Sequence, residues 1–323
     1  MFKYILRRLI MSIPVLLGVS ILSFLIIQAA PGDFLDQFRM NPSFSAESIE
    51  RLEKEFGLNE NFVVQYGKWL GQVLKGNWGY SFQYHQPVFE IIWSRLAATL
   101  LLSITTLLIS WAIGISVGIF AAMRQYKPGD QIASVVAFIG LSIPNFFFAL
   151  LFLYFAAQTG WFPIGGIMSI DSNDFGFWQK IGDYLWHVTG PAITLGFAAL
   201  AGVMRQMRGQ FLDQLNLDYV EFARAKGMPR KVVVYRHALR NAINPLITMF
   251  GYSLSMLLGG AVLTETVFSW PGMGKLTIEA LRAQDLYLVM ATLLLSSLML
   301  IIGNLIADIL LAAVDPRVRK RFQ

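Results

Sequence analysis

The chain has 323 residues, of which 55% are hydrophobic and only 14% are charged, well below the quarter or so that is usual in soluble domains. This composition excludes an ordinary soluble enzyme and indicates a protein of the lipid bilayer. The net charge of +6 fits membrane topology and attraction to lipid headgroups rather than nucleic-acid binding, and the lack of cysteine excludes disulfides and thiolate metal sites.

Six uncharged runs are each long enough for a membrane-spanning helix, because about 20 helical residues cross a hydrocarbon layer of roughly 30 Å. The sequence therefore predicts an all-α membrane protein with six transmembrane helices. The first run follows three basic residues, as a secretory signal does, but its length and the lack of a small-residue cleavage site predict a retained anchor. The runs cover residues 9–30, 97–123, 132–157, 188–204, 241–264 and 286–307.

The lysines and arginines predict the orientation of the chain. With the N-terminus in the cytoplasm, the inner segments hold 17 of the 26 basic residues, in agreement with the positive-inside rule. Both termini are therefore expected in the cytoplasm. The predicted parts are an N-terminal tail with the first helix (1–30), an extracytoplasmic helical loop (31–95), a five-helix core (96–314) with an inner loop (205–240), and a cytoplasmic tail (315–323).

The outer loop 31–95 is predicted to contain two helices. Apolar residues from Ile49 to Phe56 recur at helical spacing, and Gly57 is placed to end that helix. A second helix begins after an Asn61 cap and stops at Gly76. Together they predict a small helical cap on the outer face, the alternative being a solvated loop that lies on the bilayer.

Two patterns test for chemistry within the membrane. The three histidines, His85, His187 and His237, are far apart in sequence, which argues against a zinc protease of the His-Glu-x-x-His type. Residues 114–118 have the Gly-x-Ser-x-Gly spacing of a hydrolase nucleophile elbow around Ser116, but such an elbow joins a strand to a helix. Because these glycines fall within the second span, close helix packing is the preferred interpretation, with an intramembrane hydrolase as the alternative.

Energy coupling also lacks a visible site within the predicted spans. An ion-coupled carrier usually keeps ionisable residues inside its bundle, whereas here Glu265, Asp285 and Asp308 fall at helix ends. The Gly274-Lys275 pair lacks the first glycine and the following serine or threonine of a phosphate loop. The chain is therefore expected to bind no metal or other cofactor itself, and ATP, if it drives the protein, must bind to another subunit.

The inner loop contains one segment with defined helix ends, DYVEFARAKG at 218–227. Asp218 is placed as the N-cap with Glu221 in the capping-box position, Gly227 supplies a left-handed closing residue, and Pro229 blocks continuation. A helix of about two turns is unstable alone in water, so it needs a surface to pack against. Composition and spacing leave lipid headgroups and a protein partner equally open as that surface.

The same segment resembles the EAA-x-x-x-G loop of bacterial ABC importer permeases. Glu221, Ala223 and Gly227 match, and Phe222 occupies the second position, where alanine is usual. Other segments resemble, in order along nearly the whole chain, the dipeptide, oligopeptide and nickel branch of that family. They are APGD at 30–33, FGL at 56–58, PIGG at 163–166, HALRNAINP at 237–245, TETVFSWPGMG at 264–274 and DPR at 315–317.

The resemblance implies a non-catalytic permease subunit for di- or oligopeptides in a bacterial inner membrane. It further implies a homologous second permease, two ATP-binding subunits that hold ATP and Mg, and an extracytoplasmic solute-binding protein. Departures from the branch pattern at Asn77, Ala98 and Asn145 leave nickel, glutathione or short sugars as alternative cargoes. Segment 218–227 would be a coupling helix seated in a groove of an ATPase, which it would contact through Tyr219, Glu221, Phe222, Ala223, Arg224, Ala225, Lys226 and Gly227.

Polar side chains in or beside the predicted spans are the candidates for lining a translocation path. Hydrogen bonding between helices is the alternative role for most of them. The candidates are Ser142, Asn145, Asn241, Ser253, Ser255 and Asn304.

Overall fold

A computed structural model describes residues 2–29, 60–258 and 261–314, together with positions 39, 45, 47, 49 and 50. Within this part of the chain the fold is almost entirely helical, as predicted, and the only strands form one short hairpin. The predicted helix from Ile49 to Phe56 lies almost wholly outside the described residues.

Most of the described residues belong to helices. A π-helical turn covers Val233–Ala238, a 3-10 turn covers Ile170–Asp174, and strands β1 (Tyr80–Ser81) and β2 (Gln86–Pro87) pair antiparallel. The helices are α1 (Phe2–Ala29), α2 (Phe62–Leu74), α3 (Val88–Met123), α4 (Pro128–Ser142), α5 (Asn145–Thr159), α6 (Phe177–Leu215), α7 (Asp218–Ala225), α8 (Arg230–Val232), α9 (Leu239–Ala242), α10 (Asn244–Leu258), α11 (Val262–Val267), α12 (Met273–Arg282) and α13 (Leu286–Val314).

Among the described helices, α1, α3, α6 and α13 are each long and apolar enough to cross a membrane. They correspond to the first, second, fourth and sixth predicted spans. The third run, 132–157, is not one continuous helix, because α4 and α5 form a pair bent by 107°, which is long and apolar enough to count together as one broken span or a re-entrant loop. Pro144, which the sequence predicts to kink or begin a helix, lies at the break. Ile143 lies before Pro144 and is extended (φ −84°, ψ 125°), the conformation that a following proline favours. Helix α4 therefore ends at Ser142, and a new helix starts after the proline.

The fifth predicted span, 241–264, is also shorter than predicted. Its longest described helix, α10, has 15 residues, or roughly 22 Å. Pro245 lies in the first turn of α10, where its missing N–H leaves no helical hydrogen bond unmade. Helix α10 packs mainly against α13, so this short span is flanked by a full-length one.

Helices α3 and α6 form the most extensive helix pair in the described part of the chain, and two glycines bring them together. A Cβ atom on Gly114 would lie 2.9 Å from the Val203 side chain, and one on Gly118 would lie 2.8 Å from the Met204 carbonyl oxygen. The packing interpretation of these glycines is therefore confirmed. Ser116 between them is exposed, and its Oγ donates to the Ala112 carbonyl oxygen at 2.7 Å.

We expect Gly118→Ala to lower the melting temperature of the purified protein, because the new methyl group would separate α3 from α6. The matched control is Gly209→Ala, where a Cβ atom would meet nothing within 4 Å. There alanine should be neutral or stabilise the helix by up to about 1 kcal/mol. Thermal unfolding of both variants in detergent measures the difference. Equal melting temperatures for the two variants would contradict the proposed close contact.

The predicted second helix of the outer loop is confirmed as α2. The Asn61 side chain accepts a hydrogen bond from the Val63 amide at 3.2 Å, and Gly76 follows the helix with a φ of +84°. Helix α2 packs on α1 through a Tyr66 hydroxyl 2.8 Å from Ser20 Oγ. This part of the loop is therefore structured on the first span.

The β1–β2 hairpin is anchored to the start of α13 by a buried carboxylate. Ser81 Oγ donates to Asp285 Oδ2 at 2.6 Å, and the Gln83 amide donates to the same oxygen at 3.1 Å. The other oxygen, Oδ1, accepts from the Leu288 amide at 3.2 Å, in the first turn of α13. The hairpin and the last span are therefore held as one unit at this end of the bundle.

Candidate functional site

Helix α7 lies at the end of the bundle where α3 and α6 finish. If Asp218 were the N-cap, the helix would begin at Tyr219, but it begins at Asp218 itself. The residue before the helix is Leu217, which is extended (φ −86°, ψ 148°) and makes no side-chain cap. The predicted capping box between Asp218 and Glu221 is therefore wrong. Helix α6 ends at Leu215, so the chain turns within two residues and Asp218 is already helical. Both carboxylates still lie in the first turn, where they interact favourably with the helix dipole.

The predicted end of α7 is confirmed. Gly227 has a φ of +74°, and its amide donates to the Arg224 carbonyl oxygen at 2.9 Å. The Met228 amide donates to the Ala223 carbonyl oxygen at 3.4 Å, which completes a Schellman closure. Pro229 then leads into α8. The helix is thus eight residues long with a fixed end.

One face of α7 is buried in the chain itself. Val220 is fully buried and Ala223 is 5% exposed. Both belong to a hydrophobic cluster that also contains Ala122 of α3, Met207 and Phe211 of α6, and Val233 and Val234. We call this cluster the α7 seat. It corrects the prediction that Ala223 is available to a partner, because a small side chain is needed here for α7 to approach its own bundle. The pattern alone did not reveal which face would be covered.

The opposite face of α7 is exposed to the surroundings. The Phe222 side chain is 62% exposed, and the Lys226 ammonium lies 4.6 Å from the centre of its ring. Glu221, Arg224 and Ala225 are also exposed. An exposed aromatic ring with a cation over its face is typical of a protein-binding surface. We call these five residues the exposed face of α7.

Tyr219 lies between the two faces and braces the helix. Its hydroxyl donates to Gln214 Oε1 at 2.7 Å, and Asn241 Nδ2 donates to the same hydroxyl at 3.2 Å. Asn241 Nδ2 also lies 3.3 Å from the His237 carbonyl oxygen. The geometry therefore gives Tyr219 and Asn241 a structural role in holding α7.

A pocket of about 410 Å³ opens beside α7. Its floor is apolar and includes the buried side chains of Ala122, Val233 and Val234, while Arg224 and Arg230 lie at its exposed edge. The pocket therefore places two cations next to apolar surface on the same side of the molecule as the exposed face of α7.

The predicted path residues are distributed over several elements. Ser142 and Asn145 meet at the bend between α4 and α5, where both are exposed. Ser253 and Asn304 are half-buried on α10 and α13, which pack together. The side chain of Ser255 lies outside the described set. The bend thus brings two of the candidates close together in the chain, and α10 and α13 carry two others.

An ion pair that the sequence analysis missed joins α4 to α6 near α7. Arg208 Nε donates to Asp130 Oδ1 at 2.6 Å, and its NH2 group donates to Oδ2 at 2.7 Å. The Tyr126 amide donates to Oδ2 at 3.0 Å. The available signal was that Asp130 is the single acid in the predicted inner loop 124–131. Its partner lies 78 residues further along the chain, so spacing did not identify it.

A second missed cluster surrounds Glu265 at the opposite end of the bundle. The carboxylate is fully buried. Its Oε1 accepts from Thr99 Oγ1 at 3.0 Å and its Oε2 from the Lys275 amide at 2.9 Å, while Thr99 Oγ1 accepts from the Met273 amide at 2.8 Å. Glu265 and Thr99 therefore join α3 and α11 to the amino end of α12.

The segment PIGG at 163–166 packs against the same region. The Gly166 amide donates to the Phe268 carbonyl oxygen at 3.0 Å, and a Cβ atom on Gly165 would lie 2.6 Å from that oxygen. Trp270 is fully buried, and its Nε1 donates to the Ala98 carbonyl oxygen at 3.1 Å. The PIGG segment and the TETVFSWPGMG segment, about a hundred residues apart in the sequence, therefore pack against each other.

The described residues contain no group of three or more histidine, cysteine, aspartate or glutamate side chains that could hold a metal ion. Asp130, Glu265 and Asp285 are the buried carboxylates in the described part of the chain, and each has the hydrogen-bond partners given above. These groups hold helix ends together.

Comparisons with known proteins cover nearly the whole chain. Residues 114–320 match the family model described as binding-protein-dependent transport system inner membrane component, and residues 1–105 match the model for its N-terminal region. The chain is 42% identical to an oligopeptide transport system permease protein of Bacillus subtilis, over 98% of this chain and 99% of that protein.

Two further relatives have different named cargoes. The chain is 35% identical to a dipeptide transport system permease protein of Alkalihalophilus pseudofirmus, over 99% of this chain and 100% of the relative. It is 36% identical to a glutathione transport system permease protein of Salmonella paratyphi A, over 99% of both chains. The similarity therefore extends to relatives whose names differ in the transported molecule.

Proposed function

The chain belongs to the family of binding-protein-dependent transport system inner membrane components, and we propose that it forms half of the translocation path of an ATP-driven importer for di- or oligopeptides. It is a multi-pass, non-catalytic membrane permease. The observation that carries the peptide cargo is the end-to-end similarity to oligopeptide and dipeptide permeases. Glutathione, itself a short peptide, is the alternative that a relative supports, and nickel or short sugars are the further alternatives.

We infer that α7 is the coupling helix, docked by its exposed face onto an ATP-binding subunit. The α7 seat fixes Val220 and Ala223 inside the chain, which leaves Phe222 as the central exposed side chain. Partly exposed aromatic residues supply much of the binding energy of protein interfaces. Lys226 lies over the ring and Arg224 is exposed on the same helix. Both cations favour an acidic partner groove. A lipid surface is the alternative partner for this face.

The complete transporter would contain a homologous second permease, two ATP-binding subunits that hold ATP and Mg, and an external solute-binding protein. Closure of the ATPases around ATP would move α7 together with its seat on α3 and α6. Exposed apolar side chains along α4 and α5, such as Phe138 and Tyr154, would meet lipid or the second permease. We propose that the bend between α4 and α5 forms part of the path, because Ser142 and Asn145 are both exposed there.

The orientation follows from the basic residues and the position of α7. The inner segments carry 17 of the 26 lysines and arginines, which favours cytoplasmic N- and C-termini. In that orientation α7 faces the cytoplasm, where ATP is available, and the Glu265 cluster faces the solute-binding protein.

Cross-linking tests this assignment, because the chain has no cysteine of its own. We expect Phe222→Cys and Lys226→Cys to form cross-links to the ATP-binding subunit with a short thiol-to-amine reagent. The control Val220→Cys, at a fully buried position on the same helix, should form none. None of the three should react with a membrane-impermeant thiol reagent added from outside. Labelling from outside would overturn the orientation. The docking would be overturned if Phe222→Cys reacts with the thiol reagent in permeabilised cells but forms no cross-link to the ATP-binding subunit.

A further inference from the structure

The ion pair between Asp130 and Arg208 joins two helices that also pack together through apolar side chains. The Arg208 guanidinium is bidentate on the carboxylate, with both hydrogen bonds at 2.7 Å or less. The Asp130 side chain is 4% exposed and that of Arg208 is 25% exposed. This geometry fixes both the distance and the direction of the contact. The pair is therefore a rigid link between the first turn of α4 and the last turns of α6.

The rest of the seam between α4 and α6 is lined by apolar side chains. It contains Ala133, Ala137 and Gly140 on α4 against Phe197, Ala201 and Met204 on α6. A Cβ atom on Gly140 would lie 3.3 Å from the Ala201 Cβ, so the helices are close. Small side chains permit close approach but interdigitate shallowly. The ion pair therefore adds a charged contact of fixed direction at the end of a seam whose other named contacts are apolar.

The two ends of this link connect to different functional elements. On α6, Met207 and Phe211 flank Arg208 in sequence, are fully buried, and belong to the α7 seat. On α4, the helix runs from Asp130 to the 107° bend at which Ser142 and Asn145 lie. A displacement of α7 would move the end of α6. The bend would then move as well only if α4 moves together with α6.

We propose that Asp130 and Arg208 are positioning residues that make α4 move with the coupling end of α6, so that ATP-driven displacement of α7 reaches the bend between α4 and α5. This inference rests on the proposed function of α7. Without the pair, α7 still docks and the ATPases still turn over, but α4 lags behind α6. Uptake per ATP hydrolysed then falls.

The test uses the complete transporter in proteoliposomes with Arg208→Lys and Asp130→Asn. Lysine keeps the charge but loses the bidentate geometry, and asparagine keeps an acceptor for the Tyr126 amide. We expect each to lower the ratio of peptide uptake to ATP hydrolysis by roughly tenfold, with co-purification of the ATPases unchanged. The matched control is Arg205→Lys, at an exposed position one turn earlier on α6, which should keep the wild-type ratio. A wild-type ratio in both Arg208→Lys and Asp130→Asn overturns the proposal.

The charge-swapped double variant, Asp130→Arg with Arg208→Asp, separates coupling from simple stability. A purely structural role would change the amount of assembled transporter but not the ratio of uptake to hydrolysis. We expect the swap to recover at least part of the ratio that the single variants lose. A swap that assembles but keeps the low ratio contradicts the proposal.

A measurement on the otherwise wild-type transporter applies even if these variants fail to assemble. Spin labels at the exposed positions 131 on α4 and 205 on α6 should keep the same separation with and without a trapped ATP analogue. A nucleotide-dependent change in that separation overturns the rigid link. If the unmodified transporter shows no ATP-dependent uptake, the proposed function fails instead, so the two failures are distinguishable.

Discussion

Phe222→Asp is expected to abolish nearly all of the ATP hydrolysis that loaded solute-binding protein stimulates, while the permease remains folded and inserted. The Phe222 side chain is 62% exposed and lies outside the α7 seat, so it contributes little to the stability of the chain. Central aromatic residues of interfaces often contribute 2 kcal/mol or more, and a loss of about 2 kcal/mol weakens docking by roughly 30-fold. The measurement is stimulated ATPase activity of the reconstituted complex.

Two further variants distinguish loss of docking from loss of folding. Phe222→Tyr keeps the ring and should keep most of the stimulated activity. Val220→Asp places a carboxylate in the α7 seat, at a fully buried position, and should instead lower the yield of folded permease because an unpaired charge is buried. If Phe222→Asp retains wild-type stimulation, the exposed face of α7 is not the ATPase contact.

Glu265→Ala is expected to cause the largest loss of stability among single substitutions of the Glu265 cluster. It would remove an acceptor from the Thr99 hydroxyl and from the Lys275 amide, both of which are bonded to the buried carboxylate. Each buried donor left without a partner costs about 1–3 kcal/mol. Glu265→Gln retains one acceptor oxygen and should lose less. Thermal unfolding of the purified permease gives the order wild type, glutamine, alanine, and equal melting temperatures for all three would contradict this role.

Gly272 supplies an independent test of the same contact. A Cβ atom at this position would lie 2.2 Å from the carboxyl carbon of Glu265, so Gly272→Ala should also be strongly destabilising. In the Glu265→Ala background the clashing carboxyl group is gone. The combined loss should therefore be clearly smaller than the sum of the two single losses. Strict additivity would indicate that the two residues are not in contact.

Local rules of chain geometry predicted several features correctly. The Asn61 cap, the left-handed Gly227 and the close approach at Gly114 and Gly118 each depend on residues within one element or on an excluded side chain. The family could also be identified, because its motifs follow one another along the whole chain. Each of these features can be recognised from a short stretch of sequence or from the order of such stretches.

The features that were missed depend on tertiary contacts. Asp218 has the side chain of an N-cap, but the tight turn from α6 made Leu217 the extended residue. Ala223 suits a partner or the chain's own bundle equally well, and only the packed fold shows that it faces inward. The partners of Asp130 and Glu265 are 78 and 166 residues away in sequence. Spacing along one helix has no information about such pairs.

The bend between α4 and α5 illustrates a different limit. The run 132–157 has the length and composition of a single span, and Pro144 alone predicts a kink or a helix start rather than an angle. Helices in a bundle are oriented by what they pack against, which here is α6 on both sides of the break. The 107° angle is therefore a property of the assembled bundle.

Peptide uptake by the reconstituted transporter distinguishes an ATP-driven importer from an ion-coupled carrier. Proteoliposomes would contain this permease, its sister permease and the two ATP-binding subunits, with labelled dipeptide bound to the solute-binding protein on the side opposite to the ATPases. We predict uptake that requires both ATP and the binding protein and that is lost with Phe222→Asp. Uptake by the single chain without nucleotide would contradict the account and would favour an ion-coupled carrier.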